Sequence, residues 1–137
     1  MNVLAAAIVV LSYFMGSVPF GWLIARARGI DVRQTGSGNI GATNVMRATG
    51  RRLGLLTFAL DAAKGAVGPI VALATGQGVD VAALAGLAGI VGHCFSIFMA
   101  LRGGKGVATF VGVEAVLDPL SALAGAVAFA GSLLALG

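Results

Sequence analysis

Three groups of residues in this chain have types and spacings that could do chemistry. The first is the stretch TGSGNIGATNVMR at residues 35–47, where Gly36, Gly38 and Gly41 spell G-x-G-x-x-G. That spacing is the dinucleotide-binding fingerprint, and Asp61 falls about 20 residues on, where a ribose-binding acid would stand. The fingerprint needs a strand before the glycines and a βαβ unit after them. Here an Arg-rich link precedes them and an apolar helical pattern follows, so the nicotinamide reading fails and the Asp61 spacing is coincidence. The Walker pattern G-x-x-x-x-G-K-[ST] occurs nowhere. What remains is anion chemistry. Glycines, Gly38 among them, let successive backbone N–H groups converge on one point. Ser37, Asn39, Thr43 and Asn44 add neutral hydrogen-bonding groups, and Arg47 can grip a phosphate through two parallel bonds. The alternative is a solvated turn with Ser and Asn as caps, and spacing alone leaves the two level.

The second group is Gly103-Gly104-Lys105-Gly106, a pliable backbone around one ammonium. It reads either as a second anion loop or as a basic anchor between helices. The third is Asp61-x-x-Lys64 within an apolar run. A charge at the bilayer centre costs at least about 2.5–3.5 kcal/mol, so two opposite charges one turn apart are expected to pair. The pair either neutralises itself inside the bundle or lets Lys64 draw in an anionic substrate. His93 is the single histidine. Many acyltransferases carry H-x-x-x-x-D, but the fifth residue after His93 is Phe98, so that dyad is absent. A hydrogen bond between helices is the expected role of His93, with catalysis the alternative. Ser37 has no triad visible in sequence. No Cys/His cluster points to a metal, and Cys94, alone, cannot make an internal disulfide.

The elements that must position these groups are membrane helices. Of 137 residues, 58% are apolar and 10% charged, against roughly 25% charged in soluble domains. The mean hydropathy is +1.00. An ordinary soluble enzyme and a disordered chain are both excluded. The 22 glycines suit helices that approach closely, and Gly86, Gly89 and Gly92 give one helix a smooth stripe. The net charge of +4 sits beside apolar runs without interleaved aromatics, so nucleic acid is not a partner.

Residues 3–25 carry no charge. As one helix they rise roughly 34 Å, enough to cross a hydrocarbon core of about 30 Å. Basic residues follow this run rather than precede it, which favours an uncleaved span over a signal peptide. Residues 53–75 form a second span, GQGVD a short outer turn, and residues 81–101 a third span, uncharged. Residues 106–117 form a short or re-entrant segment, and residues 119–137 a last crossing after the Asp118-Pro119 break. The expected fold is a single all-α transmembrane bundle of four to five membrane segments. The positive-inside rule puts the N-terminus outside and both basic groups, residues 26–52 and Arg102 with Lys105, in the cytoplasm.

Four segments, GSVPFGWLIAR (16–26), GSGNIGATNVMR (36–47), LDAAKG (60–65) and GHCFSIFMALRGGKGVAT (92–109), resemble the bacterial acyl-phosphate:glycerol-3-phosphate acyltransferase family in order and spacing. The resemblance runs from about residue 10 to about residue 120. It implies a multi-pass enzyme of the bacterial plasma (inner) membrane with cytoplasmic active-site loops. Such an enzyme moves an acyl group from acyl phosphate to the 1-hydroxyl of glycerol 3-phosphate, without an organic cofactor. It further implies a soluble partner that makes acyl phosphate. By position, Ser37, Asn39 and Arg47 match the family's first phosphate motif. Gly103, Gly104 and Lys105 match its second loop, and His93 the histidine before that loop.

Two departures stand out. The family usually has Pro where this chain has Ser96, which is expected to straighten the third span locally. Family chains also carry a third motif with His, Asn and Arg near the C-terminus. Residues 1–137 do not contain it, so the chain is expected to hold only part of the family's site. Two other classes compete: a small anion transporter or channel subunit using the same loops, and an inactive membrane fragment.

Overall fold

Helix α1, Val3–Ser17, starts where the Asn2 side chain accepts the Ala5 N–H at 2.8 Å. It ends just before Pro19, whose ring fixes φ and removes the N–H that a continuing helix would need. The chain turns at Val18 and resumes as α2, Phe20–Arg26. The uncharged run expected as one helix is therefore two, separated by a break that leaves backbone carbonyls available. Taken together, Val3–Arg26 is still long and apolar enough to cross a membrane. A link containing a 3₁₀ turn at Val32–Gln34 leads to α3, Ala42–Thr49. Gly50, at φ 96°, swings the chain into α4, Arg51–Ala74. Then come α5, Gly78–Cys94, a 3₁₀ turn at Ile97–Met99, α6, Val107–Leu117, and α7, Pro119–Leu136.

The computed structural model describes the backbone of residues 1–136 and the side chains of residues 1–128. Every regular element among the described residues is helical. The expected outer turn GQGVD is shorter than read: Gly78, Val79 and Asp80 already form the first turn of α5, where Asp80 complements the helix dipole. The third helix stops at Cys94 rather than running to residue 101. The segment expected to be short or re-entrant is one helix of 11 residues, rising about 16 Å, half of a hydrocarbon core. The last expected crossing falls on α7. It extends beyond residue 128, and Gly137 lies outside the described residues.

Small residues decide the packing. A Cβ on Gly16 of α1 would collide with the backbone of Gly89 on α5, so these helices touch main chain to main chain. Gly92 meets the Tyr13 carbonyl in the same seam, whereas Gly86 turns to Val113 of α6. The expected stripe thus serves two neighbours. On the outside, Leu11, Phe14, Leu56, Ile70, Leu87 and Phe110 are exposed. Lipid tails are as apolar as these side chains, so such exposure suits a membrane helix. At the basic end a separate apolar cluster of Ala25, Val32, Ile40, Val45 and Met99, backed by Trp22 and Leu53, anchors the link between α2 and α3.

Candidate phosphate-binding site

The Gly-rich loop is built around Asn44. This side chain is buried, and its Nδ2 donates to the carbonyls of Val32 (2.9 Å), Thr35 (3.1 Å) and Asn39 (2.8 Å). Its Oδ1 accepts from the Ser37 N–H at 3.1 Å. One amide thereby reaches four backbone groups of a loop folded on itself, its two N–H groups shared among the three carbonyls. Gly36, at φ 54°, lies against Asn44 Oδ1 where a Cβ would collide. The fingerprint glycine therefore makes room for an asparagine, not for a pyrophosphate. Asn44, expected among the phosphate-binding groups, uses its amide to hold the loop and also lines the cavity described below.

Ahead of the loop, the Asp31 carboxylate caps the 3₁₀ turn and pairs with the Arg33 guanidinium at 2.6 Å. That hydrogen-bonded guanidinium holds the Asp31 carboxyl down at about 2. Arg33 also lies 5.6 Å from the centre of the Trp22 ring, which fixes it on the flank of the loop.

A cavity of about 450 Å³ opens between this loop and the second one. Ser37, Asn39, Gly41, Thr43 and Arg47 line one side, and Lys105 and Gly106 line the other. Asp61 and His93 also line it, and Met46, Leu55, Phe58 and Val107 give it an apolar wall. The N–H groups of Ala42 and Thr43, first in α3, make no hydrogen bond among the described residues and face this space at the helix N-terminus. Among the described residues neither Arg47 nor Lys105 has a carboxylate within ion-pair distance. The arrangement suits an anion with an apolar tail. A neighbouring cavity of about 570 Å³ shares Ser37 and Asn39 and adds Gly38, Gly103, Arg33 and Arg102. Gly38 and Gly103, expected beside the other phosphate groups, thus lie on this second side.

The second loop is held by the end of α5. The Gly103 and Gly104 N–H groups donate to the carbonyls of Cys94 and His93, each at 3.0 Å, which helix termination leaves free. A Cβ on Gly103 would strike the His93 carbonyl, and one on Gly104 the His93 imidazole. Gly104 lines neither cavity; it seats the histidine. Ser96 lies past the helix end, so the expected straightening of the third span does not occur. Its hydroxyl donates instead to the Ser17 carbonyl at 2.5 Å, tying the end of α1 to the chain after α5. Nothing in the residue pattern marked this contact.

Asp61 and Lys64 share the buried face of α4, with side chains 3% and 2% exposed. Lys64 Nζ is 2.9 Å from Asp61 Oδ1 and donates its hydrogen bond to the Val18 carbonyl at 2.6 Å. The first contact is an ion pair outside hydrogen-bond angles, since Asp61 Oδ1 keeps no hydrogen-bond partner. Lys64 also lies 5.6 Å from the Phe20 ring centre and does not line the cavity. The reading in which Lys64 draws substrate in gives way to a structural one, because its ammonium is consumed where α1 breaks. His93 Nδ1 lies 3.7 Å from the same Asp61 oxygen. His93 and Asp61, from two helices, thus lie close to each other without a hydrogen bond between them.

Residues 6–137 match the glycerol-3-phosphate acyltransferase family. The chain is 47% identical over 123 residues to glycerol-3-phosphate acyltransferase 1 of Deinococcus radiodurans, covering 90% of this chain and 62% of that one. It is 48% identical over 130 residues to a glycerol-3-phosphate acyltransferase of Myxococcus xanthus, covering 92% and 67%. Its fold superimposes on the crystal structure of PlsY (YgiH), an integral membrane glycerol 3-phosphate acyltransferase, in the glycerol 3-phosphate form. The TM-score is 0.90 at 42% identity, over 95% of this chain and 66% of the other. The lysophosphatidic acid form gives 0.88 at 41%, over 95% and 65%. The chain thus spans about three fifths to two thirds of the length of these relatives. With this agreement in sequence and fold, the chain is an integral membrane protein and belongs to the glycerol-3-phosphate acyltransferase family.

Proposed function

We propose that the chain transfers a fatty acyl group from acyl phosphate to the 1-hydroxyl of glycerol 3-phosphate, yielding lysophosphatidate and inorganic phosphate. One observation carries the reading: Arg47 and Lys105, without carboxylate partners among the described residues, flank one cavity with an apolar wall. Both substrates bring phosphate, which the two cations and the α3 N-terminus suit. The acyl chain runs along Leu55 and Phe58, which are 52% and 41% exposed and so open the cavity towards lipid. Ser37, Asn39 and Thr43 orient the phosphates. Acyl phosphate is already activated, so neither a cofactor nor an acyl-enzyme is needed, and positioning with charge stabilisation supplies the rate. The PlsY forms named for glycerol 3-phosphate and lysophosphatidic acid support this assignment.

The basic end faces the cytoplasm of a bacterial cell, with the N-terminus outside, by the positive-inside rule. A soluble enzyme on that side supplies the acyl phosphate. The transporter reading loses its main support, because Lys64 is bound to Val18 and stands outside the cavity.

The test places the chain in lipid vesicles with palmitoyl phosphate and labelled glycerol 3-phosphate. Labelled lysophosphatidate is expected, falling about 10²–10³-fold in Arg47→Ala or Lys105→Ala, as for a lost charge-stabilising group. No product from the native chain, or equal product from all three, would refute the proposal. Phosphate flux without product would favour the transporter.

A further inference from the structure

We infer that the cavity lined by Arg33 and Arg102 is a docking site for an anionic phospholipid of the surrounding leaflet. The two guanidiniums hold its phosphate, and its chains lie on the turn after α5. Such binding is independent of the acyl-transfer reading and needs only that the chain spans a membrane.

The turn runs from Phe95 to Arg102. The Leu101 N–H donates to the Ser96 carbonyl at 2.8 Å and the Arg102 N–H to the Met99 carbonyl at 3.0 Å, so the segment is folded on itself. Ala100 and Leu101 take left-handed backbone, φ 51° and 61°, which residues with a side chain rarely adopt. The turn divides its side chains. Met99 is buried in the apolar cluster at the basic end, whereas Phe98 and Leu101 stand 60% and 57% exposed, and Phe95 and Ile97 are exposed as well. Four large apolar side chains presented by one ordered turn mark an interaction surface. Helix α5 rises about 26 Å over its 17 residues, a little short of a hydrocarbon core of about 30 Å. The turn that follows it therefore lies at the boundary between acyl chains and headgroups.

The cavity of about 570 Å³ is bounded by Met99, Ala100 and Arg102 of this turn and by Arg33, Ser37 and Asn39 from the link before α3. The two arginines differ in role. Asp31 takes Nε and Nη2 of Arg33 and offsets its charge, leaving Nη1 to donate, while the Trp22 ring braces the guanidinium. Arg102 has no carboxylate within ion-pair distance among the described residues and supplies the net charge. Cations at headgroup level, with apolar side chains next to them in the chain, match the order of groups in a phospholipid. A free phosphate would meet the same guanidiniums and leave the apolar rim unused, so a lipid is the occupant. Ser37 and Asn39 line both cavities, so the lipid phosphate sits behind a wall that it shares with the cavity proposed for acyl transfer.

The test reconstitutes the full chain in vesicles of equal parts phosphatidylglycerol and phosphatidylcholine. The protein is extracted in mild detergent, and the lipids it retains are counted by native mass spectrometry. Phosphatidylglycerol should be retained over phosphatidylcholine, whose choline offsets the phosphate. Arg102→Gln should lower that preference about fivefold, the worth of one cation near an anionic surface, and Arg102→Lys should keep most of it. Phe98→Ser with Leu101→Ser should reduce retention of both lipids, and excess inorganic phosphate should displace neither. Equal retention of the two lipids by the native chain, or an unchanged preference in Arg102→Gln, would overturn the inference. Displacement by inorganic phosphate would also overturn it, in favour of a soluble anion. Arg102 is exposed, so its replacement leaves packing intact, and the comparison in the native chain needs no variant. Labelled lysophosphatidate is read separately, so either this site or the acyl-transfer reading can fail without the other.

Discussion

The Lys64 ammonium donates to the Val18 carbonyl at 2.6 Å, at the break that Pro19 introduces between α1 and α2. The same ammonium neutralises Asp61. One lysine thus closes a backbone defect in α1 and a buried charge in α4. Lys64→Met removes both functions and leaves the carboxylate uncompensated. Breaking one side of a buried pair costs about 3–5 kcal/mol. Thermal unfolding in lipid or detergent should show a loss of that order. The double variant Asp61→Asn with Lys64→Met should recover part of it, since no unpaired charge remains. Equal loss in the single and double variants would show that the Val18 bond dominates.

Asn44 should be more sensitive to charge than to truncation. Asn44→Ala removes the amide's bonds to the loop backbone, two donated N–H groups and one acceptor at roughly 0.5–1.5 kcal/mol each, so a loss of about 2 kcal/mol or more is expected. Asn44→Asp keeps the shape but points an acceptor at the carbonyls of Val32, Thr35 and Asn39. It should be the worse of the two. Hydrogen exchange at the Ser37 and Gly38 amides reads loop order directly, and a milder Asn44→Asp would contradict this account.

The two glycines after Arg102 should differ. A Cβ on Gly103 meets the His93 carbonyl, which is main chain and cannot yield, whereas one on Gly104 meets the imidazole, which can rotate. Gly103→Ala should therefore cost more stability than Gly104→Ala, whose contact a rotated ring can relieve. Melting temperatures of both variants check this order, and equal losses would contradict it.

The Asp31–Arg33 clamp sets a pH dependence. The folded carboxyl sits at about 2, below its ordinary 3.8, because Arg33 hydrogen-bonds to it. A depressed folded value means that the contribution is complete above about 4 and is lost as pH falls through the folded value. Arg33 lies over Trp22, the single tryptophan, so fluorescence should hold steady from neutral pH to about 4 and change on the approach to pH 2. Asp31→Asn should abolish that step.

By itself the sequence determined the all-helical membrane class, because 58% apolar residues in continuous uncharged runs of about 20 residues have the length of membrane helices, not of the shorter strands of a barrel. It also marked the two basic Gly loops and the buried pair of α4, since residues one turn apart on a helix share a face whatever surrounds them. Several features were decided only by the tertiary structure. Asn44 holds the loop, because the carbonyls it binds converge only once Val32 and Ile40 are buried. Lys64 leaves the cavity for Val18, and Ser96 reaches Ser17, because those carbonyls become available where α1 ends. His93 meets Asp61 because α4 and α5 pack side by side. Each of these contacts joins atoms distant in the chain, and a spacing rule reads only neighbours on one helix or in one loop.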